Sequence, residues 1–353
     1  MSNEFAATRS VAPQHAFDCE QLAVFVRENV EKFTGELTAE QFEGGQSNPT
    51  YLIKAGSRRY VLRRKPPGKL LPSAHAVERE YRVITALRDT DVPVAQTYAL
   101  CEDESVIGTP FYLMEYVEGR VFWDPSLPGS SPNERATIFD EMNRVIAALH
   151  SVDYAAVGLN DYGKAGNYLA RQIDRWSNQY RASETERIEA MDNLMAWLPL
   201  HVPASDESSI VHGDYRLDNV IFHPSEPRIL AVLDWELSTL GHPLADFAYH
   251  VMTWRLSPGE FRGLAGYDLQ ALGIPGEDAY VAAYCRRTGR DPIAHWDYYL
   301  AYNMFRLAAI LQGVLARALQ GNAASAEALE TGRRARPMAE AGWRQVQRIL
   351  QQG

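Results

Sequence analysis

Four acids or amides, Asp214, Asp218, Asn219 and Asp234, sit at the edges of two short apolar runs, Val220–Phe222 and Ile229–Leu233. A turn of Pro, Ser and Glu separates the runs. Charge beside a buried strand is costly unless it is paired or bound to metal. A loop that positions a metal ion and a base would resolve that cost. Hard cations take oxygen ligands, and Mg2+ needs only one or two carboxylates plus substrate phosphates. Asn219 and Asp234 could supply such a set from neighbouring strand ends. Asp214 could receive a proton beside them.

The spacing sharpens this. In "HGDYRLDN", Asn219 follows Asp214 by five residues, as in the H-R-D-x-x-x-x-N catalytic loop of protein kinases. There the Asp orients the attacking hydroxyl and accepts its proton, and the Asn holds magnesium. Asp234 opens Asp234-Trp235-Glu236 where a kinase carries D-F-G. Arg216 stands two after Asp214, where protein kinases place a lysine near the γ-phosphate. It is assigned to stabilise the transferring charge, because guanidinium groups bind phosphate well; a surface salt bridge is the competing role. Asp and Asn are also common turn formers. A turn alone does not require His-Gly-Asp, the Asn, two apolar strands and the final Asp in this order. Asp218 is read as a loop or backbone-capping residue.

"HGDYRLDN" and "LDWELSTLGHPLADFA" resemble the aminoglycoside phosphotransferase and choline kinase-like family, over roughly Phe33 to Leu319. The resemblance implies a two-lobed protein-kinase-like fold that phosphorylates small-molecule alcohols with ATP as co-substrate and Mg2+ as cofactor. It implies Asp214 as base, Asn219 and Asp234 as metal ligands, and Asp246 in "LADF" as the acid that braces the catalytic loop. "YVLRRKPPGKLLPSAHAVEREYRV" is similar to the kinase-like domains associated with acyl-CoA dehydrogenases. That similarity implies a hydroxy-acid or hydroxyacyl-CoA acceptor.

The elements that must position these residues fall into two textures, an α+β organisation. The first 16 or so residues read as a loose arm. Asp18 caps a helix with Leu22, Phe25, Val26 and Val30 at helical spacing. Gly35 to Lys65 reads as three antiparallel strands with tight turns. "PPGKLLPSAH" is a loop, Ala76–Arg88 a helix, and "VPVAQTYALCED" and "PFYLMEYVEG" two more strands. After Gly119 helices dominate: Asn133–His150 behind Ser131-Pro132, Tyr168–Glu189, Ala190–Leu200, Ala245–Trp254, Asp278–Thr288, Trp296–Leu319 and Ser325–Gln352. The expected division is residues 1–118, a strand-rich nucleotide-binding lobe, and 119–353, a helical lobe that carries the catalytic hairpin and the acceptor site.

The nucleotide side is expected in the first lobe. In "FEGGQSNPTYLI", backbone groups around Gly45, Ser47 and Asn48 could cover phosphates, since glycine lets backbone approach closely. A plain hairpin turn reads equally well there. In "YVLRRK", Arg63 takes the place of the kinase β3 lysine, with Lys65 on the same face as the alternative. Glu80, in stripe with Ile84 and Leu87, is the expected partner of Arg63; Glu78 lies off that stripe and reads as solvated. Met114 would line the adenine pocket, and the backbone of Glu115 and Val117 would meet the adenine edge.

Gly213 stands where kinases regulated by loop phosphorylation carry Arg, and Asp234 to Asp246 spans only twelve residues. Both disfavour a protein substrate. For the acceptor, Asn303 and Arg306 lie on one stripe of "YYLAYNMFRLAAILQGVLARAL", and Trp254 and Arg255 follow the Asp246 helix. Polar residues on an apolar helix are either paired in the core or face a cleft. The cleft reading gives an anionic or partly apolar small-molecule acceptor.

The 353 residues are 46% hydrophobic and carry a net charge of -10. A chain this acidic is a poor nucleic-acid binder. The 3 cysteines, Cys19, Cys101 and Cys285, form neither a disulfide framework nor a metal spacing. With no signal-peptide pattern and no membrane-length apolar run, the expected setting is cytoplasmic, away from membranes. His212, His223 and His242 are scattered among turns, which disfavours a metal hydrolase. The leading reading is a small-molecule O-phosphotransferase. An aminoglycoside-type antibiotic kinase and a pseudokinase-like ligand-binding module remain as alternatives. Acceptor, nucleotide preference and oligomeric state are not encoded legibly.

Overall fold

The computed structural model describes residues 7–30, 36–43, 48–68, 75–321 and 327–352. By contacts the chain forms two compact units. The first comprises Met1–Val121, Ala155–Leu159 and Asp218–Ser238, and the second Phe122–Tyr154, Asn160–Leu217 and Thr239–Gly353.

The first unit is built on a six-stranded antiparallel sheet of β1 (Thr8–Ser10), β2 (Leu37–Phe42), β3 (Thr50–Ala55), β4 (Arg58–Arg64), β5 (Thr97–Cys101) and β6 (Phe111–Glu115), in the order β1-β2-β3-β4-β6-β5. Its register makes the two faces unlike. Tyr51 pairs with Leu62, Ile53 with Tyr60, and Leu62 with Leu113. This face packs with Leu22 and Val26 of helix α1 (Cys19–Asn29) into an apolar core. Asp18 caps α1 by accepting from the backbone N–H groups of Glu20 and Gln21. On the other face Arg63 lies opposite Tyr112. Helix α2 (Val77–Leu87) buries Val77, Glu80, Val83, Ile84 and Leu87. The short helix α3 (Glu104–Ile107) precedes β6.

The amino-terminal arm departs from expectation at Thr8–Ser10, which pair with Glu40–Phe42 as an edge strand. Three residues without an apolar pattern give sequence reasoning nothing to find.

In the second unit, α4 (Pro132–Ser151) starts behind the Ser131 cap. It is followed by α5 (Tyr168–Ser183), α6 (Glu189–Trp197) and β7 (Ser209–Val211). The hairpin β8 (Val220–Phe222) and β9 (Ile229–Val232) follows in sequence, then β10 (Thr239–Gly241), antiparallel to β7. Helices α7 (Pro243–Val251), α8 (Pro258–Phe261), α9 (Leu269–Leu272), α10 (Glu277–Thr288), α11 (Trp296–Leu319), α12 (Ala328–Arg333) and α13 (Ala335–Gln352) complete the chain. Most of α11 is buried, because α5, α7, α12 and α13 pack around it. The single carboxy-terminal helix expected from the sequence is two helices, broken at Arg334.

One grouping differs from chain order. The β8–β9 hairpin, expected in the helical lobe, belongs by contacts to the sheet unit. Phe222 and Arg120 exchange backbone hydrogen bonds of 2.8 Å, and the Val232 N–H donates to the Pro93 carbonyl at 2.9 Å. Gly119 permits the close approach: a Cβ there would lie 2.2 Å from the Phe222 carbonyl oxygen.

Candidate active site

In the sheet unit, β4, β6, α2 and the end of β9 bring one cation to three acids. The Nε of Arg63 lies 3.0 Å from Glu80. Its Nη2 lies 2.8 Å from Asp234 and 3.5 Å from Glu236. Glu80 also accepts from the Tyr112 hydroxyl at 3.1 Å and from Asn48 Nδ2 at 2.8 Å. Asn48 Oδ1 in turn meets His75 Nδ1 at 2.9 Å. Burial pushes the Glu80 carboxyl above its usual value, opposed by Arg63, Tyr112 and Asn48. Burial works against the Arg63 charge, but Glu80, Asp234 and Glu236 outweigh it and hold the guanidinium protonated.

Asp234 sits at φ 61, ψ 60. This left-handed conformation is tolerated by Asp and turns the chain sharply after β9. Asn219 is buried in the turn before β8, and its carbonyl accepts from the Leu233 N–H at 2.8 Å. The loop at Asn219 and the end of β9 are thereby tied together. Asn219 and Asp234 offer an amide and a carboxylate oxygen, a donor set that suits a hard cation sharing its shell with phosphates.

Several expected residues take different positions. Gly45 and Ser47 lie outside the described residues. Asn48 is described, and its side chain braces Glu80. Lys65, the alternative cation, pairs with Glu78 at 2.9 Å, so Glu78 is half-buried and paired. Met114 lies on the Arg63 face of the sheet. The Glu115 N–H is committed to the Gln96 carbonyl at 2.8 Å, which leaves its carbonyl as the group that could meet an adenine. Val117 follows β6 in extended chain.

In the helical unit, β7 leads into the loop that carries Asp214. Asp246 on α7 accepts the His212 N–H at 2.7 Å on one carboxylate oxygen and the Gly213 N–H at 2.8 Å on the other. His150 Nε2 lies 3.1 Å from the same carboxylate, and its Nδ1 meets the Tyr284 hydroxyl at 2.8 Å. Burial opposes ionisation of Asp246, but His150 and the His212 N–H more than offset it and lower its carboxyl below the usual range. Gly213 has φ 85, a conformation that side chains disfavour. The Tyr215 hydroxyl donates to the Met142 carbonyl at 3.0 Å, anchoring the loop on α4.

This loop presents Asp214. Arg216 grips it in a fork, Nε to Oδ1 at 2.8 Å and Nη2 to Oδ2 at 3.0 Å. The Tyr249 hydroxyl donates to Oδ1 at 2.5 Å. Arg216, expected to act on the transferring charge, is paired with Asp214.

The acceptor residues expected in this unit are held by partners of their own. Arg306 is buried, donates to the Gly213 carbonyl at 2.7 Å and lies over the Tyr249 and Trp176 rings at 5.3 and 5.8 Å. There it braces the loop. Asn303 is buried and donates to the Ala245 and Tyr299 carbonyls. Trp254 packs edge-on against Phe139 and donates to the Pro275 carbonyl. On this apolar helix, pairing in the core prevailed over facing a cleft. Arg255 lines a cleft of about 730 Å3, with Gly276, Glu277, Asp278, Ala279, Asp297 and Arg348. There Glu277 and Asp297 balance its charge.

Sequence reasoning missed Tyr249, Tyr112 and Glu236, and gave His150 no more than a helix C-terminus. Tyr249 had a signal: it stands three residues after Asp246, on the same helical face. His150 and Tyr112 had none, since their partners are distant in sequence.

Among the described residues no helix is long and apolar enough to cross a membrane. Comparison with known proteins places the chain. The model of the Phosphotransferase enzyme family matches residues 38–302. A Ralstonia eutropha crystal structure assigned to the aminoglycoside phosphotransferases is 60% identical, with a TM-score of 0.88 over 94% of this chain and 99% of that one. Choline kinase from Cryptosporidium parvum is 11% identical with a TM-score of 0.65, covering 95% and 97% of the two chains. The likeness to choline kinase shows a kinase-like fold. Mouse acyl-CoA dehydrogenase family member 10 is 51% identical over 88% of this chain and 29% of its own length. Rat acyl-CoA dehydrogenase family member 11 is 44% identical over 97% of this chain and 45% of its own length. The chain thus spans less than half of these curated relatives. With the family match covering most of its length, the chain belongs to the phosphotransferase enzyme family and has its kinase-like fold.

Proposed function

We propose that this chain is an ATP- and Mg2+-dependent phosphotransferase that moves the γ-phosphoryl group of ATP to a hydroxyl of a small molecule. The observation that carries the reading is the Arg63–Glu80–Asp234 cluster. It supplies a cation for the phosphates, its fixed partner and a metal-binding carboxylate on one face.

In the proposed step Asp214 orients the acceptor hydroxyl and takes its proton. The acceptor oxygen forms a bond to the γ-phosphorus, the bond from that phosphorus to the β,γ-bridging oxygen breaks, and ADP carries away the electron pair. Arg63 holds the phosphates, and Arg216 shifts from Asp214 to the transferring group. Mg2+, held by Asn219 and Asp234, would neutralise charge on the β- and γ-phosphates when bound. The carbonyl of Glu115 and the backbone of Val117 meet the adenine beside Met114.

For the acceptor we propose a hydroxy acid or hydroxyacyl-CoA, supported by the acyl-CoA dehydrogenase relatives. The second reading is an aminoglycoside-type amine. It is favoured by the cleft at Arg255, where three acids face two arginines.

The test is ADP release from Mg·ATP with a panel of hydroxyacyl-CoAs, hydroxy acids, choline and kanamycin-type amines, with Asp214→Asn as control. Turnover with a hydroxyacyl-CoA that the variant lacks supports the reading. Turnover of kanamycin-type amines alone moves the acceptor to the second reading. Equal traces for wild type and variant on every acceptor would leave a binding module without transfer.

A further inference from the structure

The carboxylate of Asp214 is held twice, by groups of different character. Arg216 grips both oxygens from the loop itself, and about a quarter of its side chain is exposed. The second holder, Tyr249, comes from another element, and its ring is buried. It lies on α7, three residues beyond Asp246, the residue that fixes the backbone of the same loop. A single helix therefore sets both the path of the loop and the orientation of its acid.

Tyr249 is itself fixed. The Arg306 guanidinium lies 5.3 Å from the centre of its ring while donating to the Gly213 carbonyl. Burial, then the Asp214 charge, push the phenol well above its usual value. It stays a neutral hydrogen-bond donor across the working pH range.

The two holders cannot do the same job during transfer. A guanidinium that moves to the phosphoryl group must loosen its fork on Asp214. A carboxylate released from the Arg216 fork can sample more rotamers, and misplacement by about 1 Å can cost a hundredfold in rate. Tyr249 carries no charge that would draw it from Asp214 towards the phosphoryl group.

We infer that Tyr249 is a positioning residue that keeps the Asp214 carboxylate aimed at the acceptor hydroxyl when Arg216 turns to the transferring phosphoryl group. The inference rests on the proposed role of Asp214 as base. It predicts that the Tyr249 hydroxyl acts in the transfer step and not in binding.

The experiment uses the full chain with Mg·ATP, both with the hydroxyacyl-CoA panel and with water as the only acceptor. Wild type, Asp214→Asn, Tyr249→Phe and the double variant are compared. Tyr249→Phe keeps the ring and its contact with Arg306. We expect kcat to fall about 10- to 100-fold, the KM values for ATP and acceptor to stay within twofold, and the melting temperature to hold. The double variant should be no slower than Asp214→Asn, because the hydroxyl acts only through that carboxylate. Wild-type kcat in Tyr249→Phe with Asp214→Asn inactive would overturn the inference and leave the proposed function standing. A further loss in the double variant, or a change in KM alone, would also overturn it. Identical rates for wild type and Asp214→Asn would bring down the proposed function and the inference with it.

Discussion

The guanidinium of Arg63 lies 2.8 Å from the carboxylate of Asp234, across 171 residues of sequence. The same side chain reaches Glu80 through a different nitrogen. One planar fork thus connects strand β4, helix α2 and Asp234, all within the sheet unit. A lysine ammonium is a compact point charge and lacks the planar fork that meets these acids through separate nitrogens.

Arg63→Lys is therefore expected to be a poor substitute although the charge is kept. We expect affinity for Mg·ATP to fall about tenfold, or about 1.4 kcal/mol, read by calorimetry without any acceptor. Glu80→Gln leaves the buried Arg63 with fewer opposite charges. It should cost about 3 kcal/mol of stability in denaturant unfolding. Unchanged nucleotide affinity in both variants would show that Arg63 does not meet the phosphates.

The Asp246 carboxylate takes three donors, His212 N–H, Gly213 N–H and His150 Nε2. An asparagine there has one acceptor oxygen and presents an NH2 group to the remaining donors. Asp246→Asn should lose about 1–3 kcal/mol of stability from a buried, unmatched donor. Turnover should fall further than the folded fraction does, because the Asp214 loop loses its brace. Denaturant unfolding and ADP release on the same preparation check both.

Acid should weaken the fold in a defined window. Burial, as the largest cause, lowers His250 and His242 from 6.5 to about 4 each. Between those values the unfolded chain binds protons that the folded chain refuses, so stability rises with pH. It is fully present above about 6.5 and is lost as pH falls towards about 4. Each histidine contributes about 3 kcal/mol at most. Asp246, with its lowered carboxyl, adds a loss in the same direction at still lower pH. Denaturation midpoints across pH 4 to 7 should show this slope, and His250→Gln should flatten it. A flat profile in the wild type would show that these imidazoles are not neutral in the fold.

Much of the site was legible because its chemistry is local in sequence. The loop from His212 to Asn219 and the acid at Asp234 carry fixed spacings, and α1, α2 and α11 carried clear caps or apolar stripes. Arg63 and Glu80 were legible for a related reason: strand alternation and helix periodicity each point one side chain inward. Failures came where tertiary contact decides. The stripe of Asn303 and Arg306 allowed either a cleft or a paired core position, and the carbonyls of Ala245, Tyr299 and Gly213 chose the core. The hairpin β8–β9 was expected in the helical lobe and groups by contacts with the sheet unit, since its backbone bonds to Arg120 and Pro93 are non-local. Gly213 was read for the arginine it lacks, and its φ of 85 gives that absence a steric reason.

The left-handed backbone at Asp234 has an evolutionary consequence. Few residues fit that turn, and asparagine and glycine are the two that fit most easily. Each is one base change away from an aspartate codon, and each removes the carboxylate while preserving the bend. If the proposed role of Asp234 holds, loss of transfer should arise through Asp234 more readily than through Asp246, whose carboxylate takes three donors inside the fold.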